Sequence, residues 1–269
     1  MTAWSARQNT TKDQKRFLQQ AQHVISRKAA TSSLVVVGAH HFAADPNDPL
    51  RSIILKQAWA SVLLIEASPH IANALRESIS TRSPLPFVTA ERIHVSNTGI
   101  VPKAMLQEQA SNLSFYSFTA NGSGLPYYAT QIGGFSRWHV YRHFPWFVRV
   151  SRGRWSRSQL IKSVVRSNVQ CLTLSDAIRR HALPRPAVIL IDVEGFDCRI
   201  VEEHNWCAAP FYRPDLLVFE HKHCKDKTYR SAIHNLSKCP AYGKRPSLVT
   251  SENAFYLADV GSQMLRTDG

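Results

Sequence analysis

The chain has 269 residues, 44% of them apolar and 10% aromatic, enough to bury a sizeable core in one large domain or two small ones. No run approaches the roughly eighteen uninterrupted apolar residues of a membrane span, and the polar stretch Met1–Thr11 lacks the apolar centre of a secretory signal. A net charge of +14 favours anionic partners, and the five cysteines (Cys171, Cys198, Cys207, Cys224, Cys239) contain no Cys-x-x-Cys, so they read as reduced thiols of a cytoplasmic protein rather than a disulfide frame.

Taken in order, residues 12–27 place Phe17, Leu18, Ala21, Val24 and Ile25 at helical spacing, predicting a leading amphipathic helix packed on a sheet edge. Residues 1–30 are therefore set apart as a helical extension. Leu34–Val37 is a short buried strand that ends in Gly38-Ala39, followed by His40-His41-Phe42. Asp48 then caps a helix with Pro49 at its first position. Val62–Ile65 is a second strand ending in Glu66, and Ser68-Pro69 starts the next helix. This strand–helix alternation predicts a parallel sheet. An acid at the end of the second strand suits a ribose-hydroxyl acceptor, although a solvated strand-end Glu reads the same. Phe87–Val95 is a third predicted strand, with Ser96-Asn97-Thr98-Gly99 as its turn. Leu113–Phe118 is a fourth, and Asn121–Gly124 a loop.

From Leu125 to Arg166 the pattern breaks down. No Asp or Glu occurs between Glu108 and Asp176, whereas Arg137, Arg142, Arg149, Arg152, Arg154, Arg157, Lys162 and Arg166 do, mixed with aromatics from Tyr127 to Trp155. An insertion over about 120–166 reads as a lid over an acceptor pocket, an interfacial membrane element or a nucleic-acid surface, with the lid favoured. Strands then resume at Val169–Thr173, Ala187–Ile191 and Asp215–Phe219, with helices from a Ser175 cap to His181, over Phe196–Glu203 and over Tyr229–Leu236. Ser247–Val249 and Ala254–Leu257 close the chain as paired strands.

The stretch Ala187–Asp197 carries the chemistry. Its apolar run fits a strand buried on both faces, and Asp192 and Glu194 follow at its carboxyl end, where open α/β sheets bind ligands. Two carboxylates there are costly to bury without a use.

Several motifs resemble the FkbM-type S-adenosylmethionine-dependent methyltransferases: Val37-Gly38-Ala39, Asn47-Asp48-Pro49-Leu50, Leu64-Ile65-Glu66-Ala67-Ser68-Pro69, Gln131 to Arg137, Cys171-Leu172-Thr173-Leu174, Ile191 to Asp197 and Val218-Phe219-Glu220-His221. The resemblance implies a Rossmann-like class I methyltransferase fold within 31–269: a mostly parallel seven-stranded sheet, helices on both faces and an antiparallel C-terminal strand. It implies that Gly38, Ala39 and His40 approach the methionine part of the cofactor S-adenosylmethionine, that Glu66 binds its ribose and that Ser96 and Asn97 lie near adenine. Asp192 and Glu194 would stand beside methyl group and acceptor, a hydroxyl on a small molecule or sugar. Where the family continues Gly-Ala-Asn, this chain has Gly38-Ala39-His40-His41-Phe42, so the histidines either replace the lost contacts or cofactor binding is weakened.

In that scheme Asp192 is the catalytic base, Glu194 orients cofactor or acceptor, and His221 or a histidine of the first motif supports them. Arg137 and the insertion face the acceptor and favour an anionic one. A divalent metal on Asp192, Glu194 and Glu220 is an alternative that no spacing demands. His204, His221, His223, Cys207, Cys224 and Cys239 lack zinc-ligand spacing and read as scattered surface histidines and buried cysteines. Two non-enzyme readings stay open: a degenerate methyltransferase fold kept as a binding module, and a basic protein of nucleic-acid or membrane surfaces, of which nucleic acid is the less favoured.

Overall fold

A computed structural model of the chain describes residues 11–40, 49–81, 85–108, 111–119, 125, 129, 132–193, 195–207 and 213–258. The expected Asp48 cap, His41, Phe42, the Asn121–Gly124 loop and Glu194 lie outside the described residues.

Helix α1 (Lys12–Lys28) is opened by a capping box in which Thr11 and Gln14 satisfy each other's backbone N–H. Strand β1 (Ser33–Val37), helix α2 (Pro49–Leu55), strand β2 (Ser61–Ile65), helix α3 (Pro69–Thr81) and strand β3 (Ile93–Ser96) follow. After a middle segment come helix α8 (Leu174–Arg180), strand β8 (Pro186–Ile191), helix α9 (Asp197–Glu203), strand β9 (Leu216–Glu220), helix α10 (Asp226–Ser237) and strands β10 (Leu248–Val249) and β11 (Asn253–Leu257).

The seven strands form one sheet in the order β10-β11-β9-β8-β1-β2-β3. The pairs from β3 to β9 are parallel, and β11 runs antiparallel between β9 and β10. This is the Rossmann-like methyltransferase arrangement that the motifs imply. The sheet is apolar on both faces because helices cover both. Leu34, Val36, Val62, Leu64, Val188, Leu190 and Val218 pack under α1, α2 and α3. The alternate residues Val35, Val37, Leu63, Ile65, Ile189, Ile191, Leu217 and Phe219 pack under α8, α9 and α10. Two-sided burial is why these strands read as continuous apolar runs.

Several expectations are corrected. Helix α1 lies over a face of the sheet rather than its edge: Phe17 meets Phe255 of β11 at 5.3 Å, and Ala21 and Ile25 join the core over β1 and β8. Strand β3 begins at Ile93, not Phe87, since Phe87 is 58% exposed and a 3-10 turn at Ala90–Arg92 intervenes. Helix α8 is capped by Thr173, whose hydroxyl accepts from the Asp176 N–H at 3.1 Å, while Ser175 reaches His204 instead.

The middle segment is a small second sheet. Strands β4 (Gly99–Ile100), β5 (Asn112–Phe118), β6 (Gly133–Gly134) and β7 (Val164–Leu172) lie in the order β4-β7-β5-β6. Helices α4 (Lys103–Glu108), α5 (Arg137–Tyr141), α6 (Phe144–Val150) and α7 (Arg157–Ser163) complete it. Much of the expected disorder of pattern is thus regular structure, and β7 starts five residues before the predicted strand. Phe118, Val140, Phe144, Phe147 and Leu160 form a core of their own, so most of the aromatics pack inward.

The thiol reading is also corrected. Cys198 of α9 and Cys224 after β9 are joined as a disulfide, with Cα atoms 6.0 Å apart, while Cys171, Cys207 and Cys239 stay free. The packing of α9 beside α10 brings the two cysteines together across 26 positions, a proximity no spacing motif announces. Cys207 is exposed rather than buried. Closing a loop of this length stabilises the fold by about 2–4 kcal/mol. The double change Cys198→Ala and Cys224→Ala should cost that amount in urea unfolding, and added dithiothreitol should destabilise the parent but not the variant.

Candidate active site at the strand ends

Val37 of β1 pairs with both Ile65 and Ile191, and Ile191 pairs with Phe219. The next residue of β1 is Gly38, of β2 Glu66, of β8 Asp192, while β9 ends on Glu220. Register alone therefore sets three carboxylates and one glycine along the carboxyl edge of the sheet. Gly38 and Asp192 flank the point where the strand order reverses, the usual ligand crevice of such sheets.

Gly38 is required by contact. Its φ is +76°, and a Cβ there would lie 1.8 Å from the Asp192 carbonyl oxygen. The Gly38 and Ala39 N–H groups both donate to the Ile65 carbonyl at 2.9 Å, and the Asp192 N–H donates to Val37 at 3.0 Å. His40 also has a positive φ of 29°, a region in which His is several-fold enriched among non-glycine residues. Its N–H donates to Glu66 Oε2 at 2.9 Å, and the Ser68 N–H donates to Oε1 at 2.7 Å. Glu66 thus ties the turn after β1 to the start of α3.

Glu66 is 6% exposed, and burial pushes its pKa up to about 7 despite those hydrogen bonds, with the Asp192 charge adding to the rise. Asp197, 1% exposed, is pushed up to about 8, first by burial and then by Asp192. Its Oδ1 accepts from the Val193 N–H at 2.9 Å and its Oδ2 from the Gly195 N–H at 3.1 Å. From the first residue of α9, Asp197 therefore fixes the loop that carries Asp192. Asp197 has no assigned role within the Ile191–Asp197 motif, and an acid at a helix start two residues after a glycine is the sequence signal that marks it.

The other expected residues divide. Asn97 uses its side-chain amide to donate to the Glu66 and Ala67 carbonyls, both at 3.0 Å, so it supports the loop after β2. Ser96 bonds Thr98 through its hydroxyl at 2.9 Å. His221 Nε2 bonds the Thr250 carbonyl at 2.9 Å, which fixes its ring to the turn between β10 and β11 and beside Tyr229. Arg137 is exposed at the start of α5, its guanidinium 5.1 Å over the Tyr141 ring. Glu220 is buried with His223 Nε2 3.8 Å from its Oε1. Among the described residues no group of three His, Cys, Asp or Glu side chains is arranged to hold a metal ion.

Phe135 joins the second sheet to this site. Its ring lies 5.2 Å from Phe115 and 6.0 Å from Phe196 of the Asp192–Asp197 loop. It fills the place a Cβ on Gly99 would take, 2.3 Å from Phe135 Cζ.

The family model of the methyltransferase FkbM domain matches residues 37–245, which span the whole of this strand-end site. The chain belongs to the FkbM methyltransferase family. Among solved structures it is similar to methyltransferase FkbM from Methylobacillus flagellatus KT, at 14% identity with a TM-score of 0.41. That match covers 85% of this chain and 44% of the other, so the chain spans less than half the length of that protein. No curated protein matches the chain. The FkbM motifs that carried the resemblance are the ones that supply Gly38, Glu66, Asp192 and Phe135 to the site.

Two outcomes are expected. Gly38→Ala should destabilise the chain by at least about 2 kcal/mol in urea unfolding, since a Cβ meets backbone rather than a movable side chain. Stability should also fall as pH rises. Below about 4.5 Glu66 is protonated folded or unfolded; between there and about 7 the unfolded chain releases a proton that the folded chain keeps. Glu66→Gln should flatten the decline of Tm across this window, leaving the part due to Asp197, which extends to about pH 8.

Proposed function

We propose that the chain methylates a hydroxyl oxygen of a small molecule or sugar, using S-adenosylmethionine. The observation that carries this is the Gly38–Asp192 crossing at the reversal of strand order, with Glu66 on the neighbouring strand. The residues present fit the cofactor. Gly38 lets the turn after β1 cross against the Asp192 carbonyl, which sets Gly38, Ala39 and His40 beside Asp192 at the carboxyl end of the sheet, where open α/β sheets bind ligands. The Glu66 carboxylate accepts from the His40 and Ser68 N–H groups on its two oxygens, and its four lone-pair sites leave capacity for a ribose hydroxyl. His40 keeps the positive φ and the link to Glu66, which supports a working turn rather than a degenerate one.

S-adenosylmethionine supplies a methyl group made electrophilic by its sulfonium. Gly38, Ala39 and His40 would hold its amino-acid part, Glu66 its ribose, and the Ser96-Asn97 turn its adenine. The carboxylates of Glu66, Asp192 and Glu220 lend the strand ends a negative potential suited to a cationic ligand. Asp192, half-buried on the loop fixed by Asp197, accepts the acceptor hydroxyl's proton as the oxygen becomes a nucleophile. Glu194, in the same loop, orients cofactor or acceptor. Holding the acceptor in line is the main contribution of such a site, about 7–11 kcal/mol in well-oriented reactions. Phe135 brings the second sheet against this loop, and Arg137 two residues later presents a cation to an anionic acceptor.

Titration calorimetry with S-adenosylmethionine and with its demethylated product tests the reading. Binding should tighten as pH rises through about 7 and should release protons below it, because a ribose grip draws on ionised Glu66. Absence of binding to either ligand would make the chain a degenerate member of its family. Asp192→Asn should bind the cofactor as the parent does and lose at least about 100-fold in turnover; full turnover would remove Asp192 from the role of base.

A further inference from the structure

We propose that the second sheet docks peripherally on an anionic lipid surface. Seven large hydrophobic side chains are exposed among the described residues, and five of them, Trp138, Trp146, Val150, Ile161 and Val165, fall within 28 positions of this unit. Trp138 is 72% exposed. The same unit has no acid of its own between Glu108 and Asp176, and eight cations.

Helical spacing places the two kinds of residue together. In α6 the inward arc is Phe144 and Phe147, and the outward arc holds Trp146, Arg149 and Val150. In α7 Leu160 points inward, and Arg157, Ile161 and Lys162 share the outward arc. Each short helix therefore shows solvent an apolar residue beside a cation, the pattern of elements that lie in a headgroup layer. Exposed Trp suits that layer, and cations suit the negative potential of anionic leaflets.

The alternative anion is nucleic acid. It would use exposed aromatic rings as stacking platforms. Here Phe118, Phe144 and Phe147 are interior, and three of the five exposed side chains are aliphatic, which can enter an acyl layer but offer no ring to a base. The lipid surface accounts for all five. No helix among the described residues is long and apolar enough to cross a membrane, so the contact is peripheral.

Co-sedimentation of the full chain, without cofactor, with vesicles of phosphatidylcholine alone and of phosphatidylcholine with about 30% phosphatidylglycerol tests this. Binding to the anionic vesicles only, weakened by salt and accompanied by a blue shift of Trp fluorescence, is the expected result. The triple change Trp138→Ala, Trp146→Ala and Ile161→Ser, and separately Arg149→Glu with Lys162→Glu, should each weaken binding by at least about tenfold. Both variants alter exposed positions, and an unchanged thermal transition confirms that they fold. Failure to bind anionic vesicles, equal binding to neutral ones, or binding untouched by either variant overturns the proposal. So does a single-stranded oligonucleotide that binds with equal affinity and loses nothing in the apolar variant. None of these readings depends on methyl transfer.

Discussion

The closest constraint in the molecule is the meeting of two backbones, where the turn after β1 presses on the carbonyl of Asp192 with no room for a side chain between them. Parallel pairing of β1 with β8 sets up that meeting, and the reversal of strand order puts it where open α/β sheets bind ligands. The polar contacts of the turns after β1 and β2 are referenced to it. The Gly38 and Ala39 N–H groups lean on β2, His40 leans on Glu66, Ser68 completes the grip, and Asn97 supports the same loop from β3. The chain thereby connects three strand ends through backbone and one carboxylate.

Electrostatics at this edge run against burial. Glu66 and Asp197 are both nearly closed to solvent, and each feels Asp192. Backbone N–H donors answer part of the desolvation, among them His40 and Ser68 at Glu66 and Val193 and Gly195 at Asp197. Buried carboxyl groups whose pKa values are raised into the neutral range by desolvation and a neighbouring acid are the pattern of functional sites rather than of structural ion pairs. The disulfide between Cys198 and Cys224 stands just behind, joining the start of α9 to the loop after β9, so the supports of Asp192 and Glu220 are themselves linked.

The sheet and the edge it presents were readable in the sequence because burial on two faces leaves uninterrupted apolar runs, each ending in the polar residue that matters. Leu34–Val37, Val62–Ile65 and Ala187–Ile191 are of this kind. Strand β7 begins before its apolar run because its first half, Val164–Asn168, is exposed or half-exposed, turns polar at Arg166-Ser167-Asn168, and pairs within a smaller, less buried sheet. The extension of β3 to Phe87 failed for the opposite reason, an apolar residue left in solvent. Thr173 and Ser175 are equivalent as hydroxyl caps until tertiary packing turns Ser175 toward His204. The cysteine pair depends on where helices α9 and α10 pack, which no local pattern encodes.

The second sheet keeps its own hydrophobic centre around Phe118, Phe144 and Phe147, and meets the strand-end loop through Phe135 against Phe196. A part with a separate core can be rebuilt by mutation without unsettling the large sheet, as long as the aromatic hinge point and Gly99 beneath it persist. The two parts of the chain are then free to change on different clocks: one through a replaceable face, the other around a backbone crossing that tolerates no added atom.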